Sequence, residues 1–318
     1  MNKVTIDFLT TNCHSLSGYM TKLIIYAIQR SMKAIFQSFF SEKRIFLLHK
    51  KNLNFVDFLY KKIIVLSIIF LNFLTYDLAY GWTITKNYED LLLGSKAGMS
   101  GVTISDIRAN SGTKSARVEF PAGSDCWGIC GDTLSFPEPV YEGGEIWARG
   151  YFYFASPWSW SSSPVAKVFR IHVATGSGSN AGYLSALLEP EGRIAASNEV
   201  QSYQPTTATY YTVDGWQSIE LYAKLSSIAG QGIFRIWKNG ILVFEDKTRR
   251  TLSSPTDKVD YNYIFTYWNG GVPQKQYAWI DDFIVTTDRP LNRDANGNYM
   301  IGLVSTSELT APTGLTIK

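Results

Sequence analysis

The sequence predicts an all-β protein, a two-sheet antiparallel sandwich that occupies most of the chain after residue 81. Apolar and polar residues alternate in short segments such as EIWARGYFYF (145–154) and AKVFRIHV (166–173), and this period of two is that of half-buried strands. Clusters of Gly, Pro, Ser and Asn separate the segments, as turns do. Because a 3.6-residue periodicity is scarcely visible, sheets are expected to pack on sheets.

The amino-terminal part of the chain differs in composition from the rest. Before Trp82 there are 10 Lys plus Arg and 4 Asp plus Glu, a net charge of +6, whereas the remainder has 20 and 23, a net charge of −3. All nine tryptophans lie from Trp82 onward. The overall charge of +3 therefore reflects the amino-terminal part alone, and the domain is predicted not to bind nucleic acid.

Residues 61–81 have the pattern of a secretory signal peptide. Lys61 and Lys62 precede the apolar run IIVLSIIFLNFL, and a small-x-small end follows. The run is shorter than the ~20 residues that span a bilayer. Cleavage near Gly81 and a secreted, extracellular or periplasmic location are predicted, with an uncleaved anchor as the alternative; no stable membrane insertion of the mature domain is expected. Residues 1–60 are expected outside the folded domain, as a mis-called extension or a cytoplasmic tail.

Residues 82–290 are predicted to form one β domain, and residues 291–318 a polar, loop-like tail whose Ala-Pro-Thr-Gly-Leu ending (311–315) has the character of a linker. Asn239-Gly240 lies between two strand patterns and predicts a two-residue hairpin, whose turn needs positive φ at both positions. Eleven strands are predicted: Val102–Ile107, Ser115–Phe120, Gly144–Phe154, Lys167–Ala174, Tyr183–Glu189, Arg193–Ser197, Gln217–Leu225, Gly232–Lys238, Ile241–Lys247, Tyr261–Trp268 and Ala278–Thr286.

Cys126 and Cys130 are the two cysteines of the predicted mature domain. Export to an oxidising compartment favours a disulfide between them. The loop that CWGIC would close is very small, so two free thiols are the alternative. No zinc site is predicted, because His172 is the only histidine after residue 81 and there is no second cysteine pair.

The sequence predicts no cofactor. Asp294, Asn296 and Asn298 place oxygen atoms at alternate positions of DANGN, which is one feature of a calcium loop. The rest of such a loop is missing, so an ordinary turn is favoured over a structural calcium site.

Four segments in the second half of the domain carry a family pattern. They are GWQSIELYAKL (215–225), GIFRIWKNGILVFE (232–245), FTYWNGG (265–271) and AWIDDFIV (278–285). Together with SARVEF (115–120) and the two strands described first, this order resembles concanavalin A-like jelly rolls, and among them the secreted polysaccharide lyases and laminin-G-like lectins. The resemblance implies a jelly roll whose concave sheet binds a polysaccharide, and it covers about residues 82–288.

The outer faces of three predicted strands carry the side chains expected of a sugar-binding groove, and these faces are predicted to be coplanar. The residues are Trp147, Arg149, Tyr151 and Tyr153 on the first strand, Arg170 and His172 on the second, and Glu220, Tyr222 and Lys224 on the third. Trp158 and Trp160, in the loop between the first two strands, are either further stacking platforms or a small satellite core.

Cleavage of a uronate polymer by β-elimination needs a group that neutralises the carboxylate, a base and an acid. FRIH (169–172) is similar to the Q-I-H strand of alginate-lyase-type jelly rolls, with Arg170 where that motif has Gln. The resemblance implies that His172 or Tyr222 is the base or acid, and that Arg149 and Arg170 hold the carboxylate. The other lyase motifs are only faintly echoed, for example by Arg117 without its second arginine.

Two further functions are weighed against a lyase. A noncatalytic carbohydrate-binding module needs only an aromatic groove with some polar groups, and in it His172 is an ordinary hydrogen-bonded strand residue. A glycoside hydrolase needs two carboxylates across the scissile bond, but no E-x-D-x-x-E strand is present. Asp281 and Asp282 are adjacent, so they are predicted to point to opposite faces and to have a structural role.

Overall fold

The computed structural model describes residues 81–160 and 165–303. The predicted signal segment (except Gly81), the extension 1–60 and the tail after Leu303 lie outside the described residues. In the part of the chain that is described, no helix is long and apolar enough to cross a membrane. The described residues form the predicted antiparallel β sandwich.

The larger sheet has eight strands. In sequence they are β1 (Thr83–Lys86), β2 (Val102–Ser105), β3 (Ser115–Phe120), β5 (Glu145–Phe154), β10 (Trp216–Lys224), β11 (Ile233–Lys238), β12 (Ile241–Asp246) and β14 (Gln276–Thr286). Their spatial order is β12-β11-β10-β5-β14-β3-β2, and β1 pairs with β14.

The smaller sheet has six strands, all antiparallel. They are β4 (Asp132–Tyr141), β6 (Ala166–Ala174), β7 (Asn180–Leu188), β8 (Arg193–Asn198), β9 (Thr206–Tyr210) and β13 (Lys258–Trp268). Their spatial order is β4-β13-β6-β7-β8-β9. Two short 3-10 helices, Pro190–Gly192 and Glu199–Gln201, flank β8.

All eleven predicted strands are present, and the predicted hairpin joins β11 to β12. Asn239 and Gly240 have φ of 49° and 76°, the two positive angles that such a turn needs. Three further strands, β1, β4 and β9, are not predicted by the alternation: β1 and β9 are short, and β4 contains two prolines. Strands of this kind occur at sheet edges, where fewer ladder hydrogen bonds are required.

The inner faces of the two sheets meet in an aromatic core. Phe152 of β5 lies 5.9 Å, centroid to centroid, from Phe169 of β6, and 5.5 Å from Phe265 of β13. Phe265 also contacts Phe120 of β3 at 5.3 Å. Each buried aromatic side chain contributes roughly 1.5–3 kcal/mol to the stability of the fold. These contacts therefore hold the two sheets together, and the outer faces of both sheets lie outside this core.

One prediction about the arrangement is wrong. The outer faces of β5 and β6 are not coplanar, because β5 belongs to the eight-stranded sheet and β6 to the six-stranded sheet. The segment 291–303, the described part of the predicted tail, packs on the outer face of β5, β10 and β11. Neighbouring strands in a sequence need not be neighbours in a sandwich, and alternation reports a face without reporting its sheet.

Candidate functional site

A cluster of basic and aromatic side chains lies on the outer face of the six-stranded sheet. We call it the basic–aromatic cluster; it consists of Arg170 and His172 on β6, Tyr183 on β7, and Tyr261 and Tyr263 on β13. The register places Arg170 opposite Tyr263 and His172 opposite Tyr183. Three adjacent strands therefore bring these side chains together on one surface.

Arg170 is a buried cation at the centre of the cluster. It is 4% exposed, and its guanidinium carbon lies 4.2 Å from the centroid of Tyr183 and 5.1 Å from that of Tyr263. Its Nη2 donates to Thr266 Oγ1 at 2.6 Å. Burial lowers the pKa of Arg170, but a guanidinium remains charged at neutral pH.

Within the described residues, no carboxylate forms an ion pair with Arg170. The nearby Glu199 carboxylate pairs instead with Lys167 at 3.4 Å, and the Arg170 Nε has no hydrogen-bond partner. Burying an unpaired charge costs several kcal/mol unless other groups compensate it. Here the compensation comes from aromatic faces and one hydroxyl, so the site is suited to accept an anionic group from a ligand.

A local irregularity of β13 supports Arg170. The register of β13 on β6 shifts between Ile264 and Tyr267, and Phe265 has a φ of 54°, which is rare for a bulky residue. As a result Phe265 packs in the core while Thr266 meets Arg170 on the outer face. Such bulges redirect single side chains, often beside functional sites.

His172 lies deeper in the cluster, between a carboxylate and a tyrosine. Its Nδ1 is 2.7 Å from Asp260 Oδ1, and its Nε2 is 3.5 Å from the Tyr261 hydroxyl. The His172 and Tyr261 rings stack at 4.2 Å with an interplanar angle of 13°. With Nδ1–H donating to Asp260, Nε2 is the acceptor that faces Tyr261.

The exposure of His172, Tyr261 and Tyr263 decides which of these side chains a ligand can touch. His172 is 2% exposed, whereas Tyr261 and Tyr263 are partly exposed. Burial, together with a hydrogen bond to Tyr263, raises the pKa of Tyr261, so its hydroxyl is protonated at neutral pH. Tyr261 and Tyr263 are therefore the side chains of this group that a ligand on this face could touch, and the His172 ring lies behind Tyr261.

Arg149 and Tyr222, which the sequence analysis grouped with His172, lie on the opposite side of the sandwich. Arg149 Nη1 donates to Gly302 O, and the Tyr222 ring packs against Trp147 at 4.9 Å. The Trp147 Nε1 donates to the carbonyl of Tyr299 at 3.0 Å. These side chains hold the segment 291–303 against the outer face of the eight-stranded sheet. They therefore lie on the other side of the sandwich from His172.

Other predicted substrate-binding residues are also on the eight-stranded sheet. Glu220 accepts hydrogen bonds from the backbone of segment 291–303. Tyr151 is 8% exposed, Tyr153 donates to Asp214 Oδ1 at 3.2 Å, and Lys224 lies at the end of β10, opposite Glu145.

The loop tryptophans contact the core. The Trp158 ring lies 4.7 Å from Phe154 and 5.6 Å from Phe120, centroid to centroid. Trp160 packs against Gly192, where a Cβ would approach the indole within 2.8 Å. This packing favours the satellite-core alternative for both tryptophans.

Cys126 and Cys130 form the predicted disulfide. Within residues 81–160 and 165–303, no three His, Cys, Asp or Glu side chains cluster as a metal would require. The Asp294 carboxylate accepts hydrogen bonds from Trp237 Nε1 at 2.8 Å and from the backbone N–H groups of Asn296 and Asn298. The Asp294 oxygens thus stabilise the turn and attach the turn to β11.

Arg170 and His172 are among the predicted site residues, whereas their partners on β13 are not. Tyr261 and Tyr263 alternate in YNYIFTYW (261–268), and this was the signal available for them. Asp260 was not recognisable, because its contact with His172 spans 88 positions.

Solved polysaccharide lyases have a similar arrangement of strands. Endo-β-1,4-glucuronan lyase from the fungus Trichoderma reesei is 13% identical, with 64% of this chain and 94% of that chain covered and a TM-score of 0.47. Alginate lyase Aly36B is 18% identical, with 64% and 96% covered and a TM-score of 0.48. Alginate lyase vAL-1 from Chlorella virus is 12% identical, with 68% and 96% covered and a TM-score of 0.44.

All three TM-scores are below 0.5 and all three identities are below 25%, so these likenesses carry no argument about the family or the activity of this chain. No family model matches the sequence, and the comparison with curated proteins finds no match.

Proposed function

We propose that this protein is exported and binds a uronate-containing polysaccharide on the outer face of the six-stranded sheet. The observation that carries the proposal is Arg170, a buried guanidinium without a carboxylate partner among the described residues. A uronate carboxylate would supply the missing negative charge and form charge-assisted hydrogen bonds. The surrounding tyrosines offer aromatic faces and hydroxyls to the sugar, the usual composition of a ligand site. The apolar segment before residue 81 supports export.

The same geometry supports cleavage by β-elimination. In this reaction the C–H bond next to the carboxylate breaks, a C=C bond forms, the glycosidic C–O bond breaks, and a proton reaches the leaving oxygen. Arg170 would stabilise the negative charge that develops on the carboxylate. Tyr261 would accept the carbon-bound proton while passing its own proton to His172 Nε2, and Asp260 would stabilise the resulting imidazolium.

The leaving oxygen also needs a proton donor. Tyr263 is partly exposed on the same face, and its ring lies 4.9 Å from that of Tyr261, centroid to centroid. It is therefore the proposed acid. In this scheme Tyr261 and Tyr263 are the catalytic residues, while His172 and Asp260 are positioning residues.

Noncatalytic binding is the second candidate, and the burial of His172 favours it. A histidine that is 2% exposed and bonded to Asp260 is also what a structural strand residue would be. In that case the basic–aromatic cluster binds the polymer and leaves it intact.

The experiment is a panel of alginate, polygalacturonate, polyglucuronate and neutral xylan, assayed for binding and for the ultraviolet absorbance of unsaturated uronate ends. The variants are Arg170→Gln, His172→Ala, and Arg108→Gln as a matched control. Arg108 also lies over two aromatic rings, Tyr153 and Trp279, at 4.7 and 4.6 Å, but on the other sheet.

We expect the wild type and Arg108→Gln to bind an acidic polymer, and Arg170→Gln to bind it at least about tenfold more weakly, the loss of a charge-assisted hydrogen bond. New absorbance that His172→Ala abolishes would establish a lyase. Binding without absorbance, unchanged by His172→Ala, would establish the noncatalytic module. Equal binding to xylan and to the acidic polymers would refute the proposal.

A further inference from the structure

Trp127 is exposed beside the basic–aromatic cluster. It is 56% exposed, whereas the other eight tryptophans, all within the described residues, are buried or partly buried. Its ring lies 6.3 Å from Tyr263 and 6.2 Å from Tyr267, centroid to centroid. We infer that these three rings form an aromatic platform that stacks a second sugar ring of the polymer, an inference that rests on the proposed function.

The loop that carries Trp127 is held rigidly against β13. Cys126 and Cys130, on either side of the exposed ring, are joined by the disulfide and are 0% exposed. The Asp125 carbonyl accepts a hydrogen bond from Trp268 N at 2.8 Å. At Gly131 a Cβ would lie 1.8 Å from the carbonyl of Ile264, so only glycine allows so close an approach.

This anchoring places the exposed ring at a defined site. Fixing a loop before binding lowers the entropy that a ligand must offset. A tryptophan kept at a rigid, solvent-exposed position is what a preformed stacking surface requires, whereas a hydrophobic side chain without a partner is normally less exposed or more mobile.

The platform is continuous with the proposed carboxylate site. Tyr263 contacts both, since its centroid lies 5.1 Å from the Arg170 guanidinium carbon and 6.3 Å from the Trp127 ring. The guanidinium and the indole are therefore at most about 11 Å apart, within the length of two linked pyranose rings. A polymer whose carboxylate reaches Arg170 would extend its next ring toward Trp127.

A sugar ring is the occupant that this continuity favours. Pyranoses present C–H groups on one face and hydroxyls at the edge, and so they match an exposed indole with two tyrosine rings beside it. The platform would thus set the length of oligosaccharide that the protein prefers, while Arg170 sets the preference for charge.

The test is calorimetry with disaccharides to hexasaccharides of glucuronate, galacturonate and mannuronate, and with their carboxyl-reduced neutral counterparts. The variants are Trp127→Ala and Trp127→Phe, with Ile241→Ala as the control. Ile241 is 71% exposed on the other sheet, so its removal tests for non-specific apolar contact. Arg170→Gln is measured in parallel.

We expect Trp127→Ala to weaken binding of the uronate oligosaccharides, from the disaccharide upward, by roughly three- to tenfold, as the loss of an aromatic contact would. Trp127→Phe should retain most of the affinity, and Ile241→Ala all of it.

The outcomes separate the platform from the function on which it rests. Unchanged affinity in Trp127→Ala at every length, with loss in Arg170→Gln, would overturn the platform alone. Loss in Trp127→Ala for charged and neutral sugars alike, with no effect of Arg170→Gln, would support the platform and overturn the uronate function. A change of oligomeric state in Trp127→Ala without a change in sugar binding would assign the ring to a protein contact and overturn the platform.

Discussion

Glu220 couples the docking of segment 291–303 to pH. Its Oε1 accepts a hydrogen bond from Ile301 N at 2.6 Å and its Oε2 accepts one from Gly302 N at 3.0 Å. The side chain is 2% exposed. Burial raises the pKa of Glu220 to about 7, although both N–H donors and Arg149 oppose this change.

The size and sign of the effect follow from this pKa. The ordinary value is 4.5, so between pH 4.5 and about 7 the folded protein holds a proton that the unfolded chain has released. The contribution to stability is fully present below pH 4.5 and is lost as the pH rises through about 7. At about 1.4 kcal/mol per pH unit the loss amounts to about 3 kcal/mol.

The perturbation is Glu220→Gln, which cannot ionise. Urea unfolding at about pH 5 and about pH 8 should show the wild type losing about 2.5 kcal/mol more than the variant between the two conditions, because a small part of the effect is already lost at pH 5. Asp281, whose pKa burial also raises to about 7, titrates in both proteins and cancels in the comparison. Glu138→Gln, at an exposed position of β4, is the control and should keep the wild-type dependence. If Glu220→Gln also keeps it, the reasoning is refuted.

Three further outcomes are expected. Replacing Cys126 and Cys130 by alanine should lower the unfolding free energy in urea by about 2 kcal/mol, the loop-closure value for so short a loop. If a reductant lowers the unfolding free energy of the double variant by the same amount, the loss does not come from the disulfide. Gly240→Ala should cost about 1 kcal/mol in the same assay, because its φ is 76° and the new Cβ would lie 3.3 Å from Met300 Cε. Met300→Ala should cost about 2–5 kcal/mol of local packing, seen as faster proteolysis within 289–303; an unchanged cleavage rate would show that the segment does not depend on this side chain.

The strands could be predicted because period-two alternation is a local signal, readable over a few residues. The pairing of strands could not, since an outward-facing residue on β5 and one on β6 have the same local pattern although they lie on opposite sides of the sandwich. The hairpin at Asn239-Gly240 was the exception, because two adjacent residues with positive φ determine which strands they join.

Bulges explain two contacts that alternation does not predict. Asp281 and Asp282 were expected on opposite faces, but the register of β14 shifts between Asp281 and Ile284. Both carboxylates therefore contact the same loop, through hydrogen bonds from Asn110 and Ser111. In the same way, the shift in β13 brings Thr266 to Arg170. A bulge depends on tertiary packing, so alternation alone does not reveal it.

The two outer faces carry similar residue types, but the partners of their charged side chains differ. Both faces carry arginine surrounded by aromatic rings, which is why Arg149 and Arg170 were assigned the same role. Arg149 donates to the Gly302 carbonyl, and the neighbouring Glu220 receives the amides of the same segment, so this face is occupied by the protein itself. Arg170 has a hydroxyl and two aromatic faces but no carboxylate partner among the described residues. A buried charge without an ion-pair partner is costly to keep, and the proposed uronate ligand would supply the negative charge that the aromatic faces and the hydroxyl do not.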